Sequence, residues 1–276
     1  MKSDPQLLSR RAALAGSGAA FAGALLPRAA GAASTSLALT AATTEGPYYF
    51  DARRERSDIR EGLAGVPLEL QFAVSEQTGR ALAGLRVDVW HCDAQGRYSG
   101  FNAPGAPGDF AGPGRPGHPL ADQTFLRGHQ STGADGRAVF RTIYPGWYEG
   151  RTTHIHLKVI AGGHALLTTQ FFLPDALSEF LYTQLPDYRR AQLRDTLNSA
   201  DGIALEAGDT VLGSVREQGD RYVASLALVV DPAARPQAER MPGPPPGMAG
   251  PRGRSAPPPR PQALQGEARI AALVPR

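Results

Sequence analysis

Cysteine and long apolar runs are nearly absent from this chain. Cys92 is the single cysteine among 276 residues, which excludes an internal disulfide. The longest apolar stretch, residues 12–26, falls short of the ~18 residues that a membrane-spanning helix needs, so we expect no stable membrane insertion. Aromatic residues make up only 7%, whereas 32 glycines and 24 prolines favour short strands and turns over long helices.

A net positive charge is missing from the middle of the chain. The net charge is +3, with +3 on residues 1–33 and +5 on the residues from 232 onward, which leaves about −5 on the body between them. Binding to nucleic-acid phosphates needs a local excess of Lys and Arg. We therefore expect no nucleic-acid partner.

Residues 1–33 have the pattern of a targeting segment. A basic start that contains Arg10 and Arg11 precedes the small, apolar run, and Ala-Gly-Ala at 30–32 offers a cleavage site. Twin arginines before such a run predict a Tat signal and a periplasmic or extracellular location. The alternative is a short N-terminal helix or anchor. Tat export carries folded proteins, which suits a protein that receives a metal before export.

The rest of the chain divides by composition. Residues 34–43 form a short polar leader, and residues 44–231 are predicted to be one folded domain. Residues 232–276 are predicted to be a disordered tail, because their Pro, Gly and Arg content offers little apolar surface to bury.

The body carries short runs of alternating or β-branched apolar residues separated by turn residues. This pattern predicts an all-β fold, an antiparallel β-sandwich with long loops and a few short helices. Turn sequences at 134–136 and 161–163 predict hairpins. The spacing of apolar residues over 175–198 predicts two short helices that are broken at Pro186. The long loop 102–119 is expected to border a pocket. The predicted strands are residues 66–75, 85–91, 138–144, 153–160, 166–173 and 222–230.

The sequence His154-Ile155-His156 lies within a predicted strand. Residues i and i+2 of a strand point to the same face, so both imidazoles project together and form half of a metal site. The pair by itself leaves solvent-facing or core histidines open. Two tyrosines that follow Gly-containing turns, Tyr98 in Gln-Gly-Arg-Tyr and Tyr148 in Pro-Gly-Trp-Tyr, are further candidates, although such tyrosines usually pack at a rim.

Five segments of the body resemble, in the same order, the intradiol ring-cleaving dioxygenases, the family of protocatechuate and catechol dioxygenases. The segments are TEGPYYF (44–50), DVWHCDAQGRYSGF (88–101), FLRGHQSTGADGRAVFRTIYPGWYEGRTTHIHLKV (125–159), TTQFF (168–172) and RDTLNSADGI (194–203).

The resemblance implies a ferric iron, Fe(3+), bound by Tyr98, Tyr148, His154 and His156. Phenolates are hard anionic donors that favour Fe(III), and imidazole suits iron. It further implies that a catechol-type substrate binds the iron through both oxygens and that one tyrosinate leaves and accepts a proton. O2 would then attack a ring carbon, and the bond between the two hydroxylated carbons would break.

The resemblance also implies roles for four residues around the iron. Arg151 would stabilise charge on the ring, and Gln170 would lie near the iron-bound oxygens. Tyr48 would contact substrate at the pocket rim, and Trp147 is a candidate for stacking on the substrate ring. A surface ion pair for Arg151, a cross-strand partner for Gln170 and simple packing for Trp147 are the alternatives.

The sequence departs from the family in one loop. Only five residues separate Tyr148 from His154, whereas enzymes of the family commonly have a longer loop there. This leaves the substrate open among protocatechuate-like, hydroxyquinol-like and other catechols, and a homo-oligomer is also left open. A secreted β-sandwich binding module without catalysis is the main alternative. A zinc hydrolase fits less well, because tyrosines suit zinc badly and no HExxH pattern occurs.

Overall fold

Eight strands, three short α-helices and one 3-10 turn form the part of the chain that the computed structural model describes, residues 36–101, 120, 122–234 and 262–273. In chain order they are β1 (Pro67–Ser75), β2 (Arg86–Trp90), β3 (Arg127–Ser131), β4 (Arg137–Ile143), β5 (His154–Ala161), β6 (His164–Phe172), α1 (Asp175–Gln184), α2 (Gly202–Ala207), the 3-10 turn (Gly208–Val211), β7 (Ser214–Gln218), β8 (Arg221–Val229) and α3 (Gly266–Leu273). The predicted signal segment and loop 102–119 lie outside the described residues.

The strands form two four-stranded sheets, in the orders β4-β1-β8-β7 and β3-β2-β5-β6. The predicted all-β sandwich is confirmed. One detail of the prediction was wrong, because β1 and β8 pair in parallel while the other neighbours are antiparallel. Strand partners that lie about 150 residues apart in the chain cannot be read from local alternation.

Alternating residues of the strands form the core between the sheets. Leu70 and Phe72 of β1 face inward from the first sheet, and Val89 of β2 with Ile155 and Leu157 of β5 face inward from the second. Each fully buried aliphatic or aromatic side chain of this kind contributes about 1.5–3 kcal/mol. The even-numbered residues of β5 consequently project from the outer face of the second sheet, where the histidines lie.

The two predicted hairpins had different outcomes. Residues 161–163 connect β5 to β6 as a hairpin, and Gly162 and Gly163 both have positive φ angles of 54° and 82°, which favour a tight turn. Residues 134–136 connect β3 to β4, which belong to different sheets, so this turn carries the chain from one sheet to the other. The hairpin prediction there was wrong because β4 pairs with β1.

The helix prediction for residues 175–198 was right for its first half only. α1 forms, but the described residues after Leu185 continue as turns up to α2. Tyr188 and Leu197 are buried all the same, so their apolar spacing reflects packing without a helix. The buried Arg194 stabilises this irregular segment by donating to Asp175 Oδ1 at 2.6 Å.

The predicted disordered tail requires a correction at its end. Residues 262–273 are described and contain α3, while residues 235–261 lie outside the described residues. Arg269 of α3 is buried and donates to both carboxylate oxygens of Glu179 in α1, at 2.7 and 2.6 Å. This ion pair supplies the anchoring that the low apolar content of the tail could not. Among the described residues, no helix has the length and hydropathy to span a membrane.

Candidate metal centre

The two histidines of β5 lie side by side on the outer face of the second sheet. Both are buried, and their Nε2 atoms are 3.1 Å apart. His154 Nδ1 lies 2.7 Å from the Thr152 carbonyl oxygen, which can only accept, so Nδ1 carries the proton and Nε2 presents a lone pair. The Trp90 ring stacks on His156 at 4.8 Å between centroids and with 9° between planes, which fixes the imidazole in place.

The two tyrosines are brought to the histidines by two turns that pack on each other. Gly146 N donates to Asp93 O at 2.9 Å, which joins the turn before Tyr148 to the turn before Tyr98. A Cβ atom on Gly96 would overlap the carbonyl oxygen of Trp147, and Gly96 also has a φ of 82°. Glycine is required there because the two backbones approach each other too closely for a side chain.

Both tyrosine rings lie beside the histidine pair. Tyr148 Oη lies 3.1 Å from His154 Nε2. The Tyr98 ring lies 5.8 Å from the Tyr148 ring and 6.1 Å from the His156 ring, measured between centroids. The buried Tyr98 hydroxyl has no hydrogen-bond partner. The structure thus brings together the four residues that the sequence predicted as ligands.

Burial shifts the pKa values of all four groups of this donor set, the two phenols and the two imidazoles, toward their uncharged forms. Burial raises the pKa of Tyr98, and the neighbouring Tyr148 raises it further; burial also raises the pKa of Tyr148, although Arg151 partly opposes this. Burial lowers the pKa of His154 to about 3 and that of His156 well below its ordinary value. Burial therefore favours neutral imidazoles and protonated phenols, and a cation bound between them would favour ionised phenols.

A strap made of residues 44–50 covers this donor set. Tyr48 stacks on Tyr98, with centroids 4.6 Å apart and 20° between the planes, and Tyr49 packs on Trp90 at 4.7 Å. Gly46, with a φ of 73°, approaches His156 so closely that an added Cβ would lie 3.3 Å from Cε1. The strap thus contacts both the Tyr98 ring and the His156 ring. Tyr48 lies beside the two predicted tyrosine ligands, and its contact with substrate at the pocket rim stays a prediction.

Arg151 lies beside the donor set and is oriented by two side chains. Its Nε donates to Asp201 Oδ2 at 2.8 Å, and its Nη2 donates to Gln170 Oε1 at 2.6 Å. Burial opposes the charge of Arg151, but the nearby Tyr148 and Asp201 outweigh it, so the pKa of Arg151 is raised. A positive charge is consequently held next to the two predicted tyrosine ligands.

Both polar atoms of the Gln170 side-chain amide form hydrogen bonds. Its oxygen accepts from Arg151, and its Nε2 donates to the Thr44 carbonyl oxygen of the strap at 2.9 Å. Gln170 is opposite His156 in the β5–β6 register and is fully buried. It therefore links the strap to Arg151, and its predicted position near metal-bound oxygens stays a prediction.

Trp147 lies away from the aromatic cluster of Tyr48, Tyr98 and Trp90. The Arg190 guanidinium lies over its ring, 3.7 Å from the centroid, and Arg190 also donates to the Trp147 carbonyl oxygen. The ring packs against the main core. This arrangement supports the packing alternative, and the predicted stacking of Trp147 on a substrate ring stays untested.

Known proteins show the same combination of fold and sequence. A family model described as Dioxygenase matches residues 44–193, which is more than half of the chain. The chain belongs to the intradiol ring-cleavage dioxygenase family. The fold is similar to that of an intradiol ring-cleavage dioxygenase from Tetranychus urticae, with a TM-score of 0.63 and 29% identity over 71% of this chain and 96% of that chain.

Curated relatives in this dioxygenase family match a shorter part of the chain. Catechol 1,2-dioxygenase 1 of Acinetobacter lwoffii is 30% identical over 155 residues, which are 48% of this chain and 45% of that protein. Chlorocatechol 1,2-dioxygenase of Cupriavidus pinatubonensis is 29% identical over 149 residues, 46% of this chain and 52% of that protein. The chain thus spans about half the length of the curated relatives it matches.

The donor set suits the ferric iron that the family resemblance implies. Among the described residues, no three His, Cys, Asp or Glu side chains form a group able to bind a metal, so tyrosines must complete any ligand set here. Two phenols and two imidazoles match a hard, trivalent cation better than Zn²⁺ or Mg²⁺. The unpartnered Tyr98 hydroxyl is the atom that such an ion would satisfy.

Sequence reasoning missed three residues around this centre, Trp90, Arg127 and Asp201. Trp90 had a signal, because it precedes the Tyr98 turn at the end of a predicted strand. Asp201 lies within the segment that carried the family resemblance, and as N-cap of α2 it accepts from Ile203 N and Ala204 N. Its second role, holding Arg151, links residues 50 positions apart and leaves no local pattern.

Proposed function

We propose that this protein is a non-haem ferric dioxygenase that opens a catechol-type ring between its two hydroxylated carbons and inserts both atoms of O2 to give a muconate-type diacid. The observation that carries the proposal is the convergence of Tyr98, Tyr148, His154 and His156 on one point of the second sheet. Two of its relatives are a catechol 1,2-dioxygenase and a chlorocatechol 1,2-dioxygenase, which agrees with this chemistry.

The chemistry of the iron follows from its ligands. Bound Fe(III) would act as a Lewis acid that accepts charge from a catechol dianion and makes the ring reactive toward O2. The imidazole nitrogens of His154 and His156 and the phenol oxygens of Tyr98 and Tyr148 would hold the ion.

Tyr148 is the tyrosine that is suited to leave when substrate binds. Its side chain is only partly buried, whereas Tyr98 is 1% exposed and lies beneath Tyr48. Once released, the Tyr148 Oη would accept a proton from a catechol hydroxyl, and until then the nearby charge of Arg151 favours its anionic form. Tyr98 would stay in place throughout.

Arg151 supplies positive charge where the substrate ring becomes anionic. Because Asp201 and Gln170 fix the guanidinium, its charge is oriented before substrate arrives and needs no rearrangement during the reaction. Gln170 acts through Arg151 and through the strap, since both ends of its amide are used.

The substrate is proposed only at the level of a catechol-type ring. The five-residue connection between Tyr148 and His154 favours an open pocket, which would accept substituted catechols of the protocatechuate or hydroxyquinol kind as well as catechol. Export by the Tat route is likewise a proposal, supported by Arg10 and Arg11. Replacing both arginines with lysine and locating the protein by cell fractionation tests it.

The experiment that tests the proposal is ring cleavage under isotopically labelled O2. Iron-loaded protein is incubated with a panel of catechols, and the products are analysed by mass spectrometry. We expect both labelled oxygen atoms in a ring-opened diacid. The outcome that supports the alternative, a secreted β-sandwich binding module, is a protein that binds no iron and consumes no O2 with any catechol.

A further inference from the structure

Arg127, the first residue of β3, is a buried cation beside the metal centre. The residue is 2% exposed. Its guanidinium carbon lies 4.3 Å from the centroid of the Phe50 ring, 5.5 Å from that of Phe101 and 5.9 Å from that of Tyr98. Three aromatic rings, one of them a predicted iron ligand, therefore surround this charge.

The partners of Arg127 are neutral. Its Nε donates to Ser99 Oγ at 2.8 Å and its Nη2 to the Ser99 carbonyl oxygen at 3.0 Å, while Nη1 has no partner. By contrast, the buried Arg194 and Arg269 pair with carboxylates. No described carboxylate forms an ion pair with Arg127. Burying a cation without a counter-charge is costly, so an anion is expected close by in the functional protein.

The phenol groups near Arg127 are the candidates for that anion. Burial lowers the pKa of Arg127 to about 9, and the phenols of Tyr98 and Tyr49 oppose this effect. Arg127 therefore remains charged at neutral pH. Tyr49 already donates its hydroxyl proton to Asp88 at 2.9 Å, whereas the Tyr98 oxygen has no partner and belongs to the donor set.

We propose that Arg127 is a positioning residue whose fixed positive charge sets how strongly the Tyr98 oxygen donates electrons to the metal. The proposal rests on the proposed function. A cation against the ring lowers the energy of the electrons that a metal-bound phenolate shares with Fe(III). The charge thus weakens donation by Tyr98 and makes the iron easier to reduce.

The two phenol ligands become unequal as a result. Arg151 acts on both phenols, and its charge is paired with that of Asp201. Arg127 lies 5.9 Å from the centroid of the Tyr98 ring and has no such carboxylate among the described residues. The uncompensated charge therefore acts mainly on the tyrosine that stays on the iron.

The test compares iron-loaded Arg127→Met with wild type by visible spectroscopy and redox titration. We expect the tyrosinate-to-iron charge-transfer band to move to longer wavelength and the Fe(III)/Fe(II) midpoint potential to fall. Arg127→Lys keeps the charge and is expected to restore both values toward wild type. Arg137→Met removes an exposed arginine of β4 and serves as the control that should move neither.

The outcomes separate this inference from the proposed function. Failure of the wild-type protein to bind iron would contradict the proposed function itself. Iron-loaded Arg127→Met with an unmoved band and an unmoved potential would overturn the role of Arg127 while leaving the proposed function intact. If Arg127→Met does not fold, Arg127→Gln takes its place. Its amide can still donate to Ser99 but carries no charge, so we expect shifts in the same directions, and no shift would overturn the inference.

Discussion

Asp201 Oδ2 accepts hydrogen bonds from Arg151 Nε at 2.8 Å and from the Thr152 backbone N–H at 2.9 Å. The other oxygen of the same carboxylate caps α2. One acidic side chain therefore holds both the start of α2 and the guanidinium that lies beside the predicted tyrosine ligands. Burial alone would raise the pKa of Asp201, but the charge of Arg151 and these hydrogen bonds outweigh it and lower the pKa.

Asp201→Asn should impair catalysis while the iron stays bound. The amide keeps the shape of the side chain but loses the charge that orients Arg151, so we expect kcat/KM to fall by about 10–100-fold, as for other residues that orient a site. Steady-state O2 uptake and iron analysis measure the two quantities. Asp220→Asn, at a side chain that is 91% exposed, is the control. Equal activity of both variants would contradict the role of Asp201.

Gly46→Ala should disturb the metal centre beyond its effect on the backbone. Alanine at a φ of 73° costs about 1 kcal/mol, and its Cβ would also press on His156. Gly62→Ala is a matched control, because Gly62 has a φ of 77° and nothing lies within 4 Å of the added Cβ. We expect similar losses of stability but lower iron content only in Gly46→Ala. Iron titration of both variants measures this, and equal iron content would argue against contact between strap and centre.

His91 should make the fold sensitive to acid. It is fully buried between Cys92 O and Thr142 Oγ1, at 2.8 and 2.7 Å, and burial lowers its pKa to about 4. The unfolded chain binds this proton near pH ~6.5, so stability is complete above that value and is lost as the pH falls toward 4. The loss should reach about 2 kcal/mol between about pH 7.5 and about pH 5.

Urea unfolding of iron-free wild type and His91→Gln at both pH values measures this effect. The variant cannot titrate at this position, so the difference in unfolding free energy between the two proteins should shrink by that amount on acidification. Contributions from the other buried histidines cancel in the comparison. Parallel pH dependences for the two proteins would contradict the assignment.

Glu179→Gln should release α3 from the body. Glu179 is the carboxylate that pairs with the buried Arg269, and it also lies 3.5 Å from Arg194 Nε. Removing its charge leaves the buried Arg269 without a counter-charge, and we expect the free energy of unfolding to fall by about 3 kcal/mol. Thermal unfolding and hydrogen exchange of residues 266–273 measure the effect. Glu206→Gln, at an exposed position of α2, is the control, and unchanged exchange in Glu179→Gln would contradict this docking.

The sequence predicted the strands whose residues alternate between core and surface. It missed β3 and β7, which are short, polar edge strands with little apolar alternation. It also missed the parallel pairing of β1 with β8 and the docked helix α3. In each of these cases the stabilising contacts join distant parts of the chain, as in the Glu179–Arg269 pair.

Some residues of the candidate site could likewise be predicted from the sequence, and others could not. His154 and His156 follow from strand periodicity, and the resemblance supplied Tyr98, Tyr148 and Arg151. Asp201 and Arg127 could not be identified, because their importance arises only when α2 meets Arg151 and when Phe50 and Phe101 close around the guanidinium. Such contacts leave no periodic signal near the residues themselves.

The visible spectrum of the iron-loaded protein tests the central claim most directly. If both phenols bind Fe(III), wild type should show a broad charge-transfer band that is lost or strongly altered in Tyr98→Phe and in Tyr148→Phe. Tyr144→Phe removes a buried phenol that bonds to Ser178 instead, and this control should keep the wild-type band. Identical spectra for wild type, Tyr98→Phe and Tyr148→Phe would contradict a centre built from these two tyrosines.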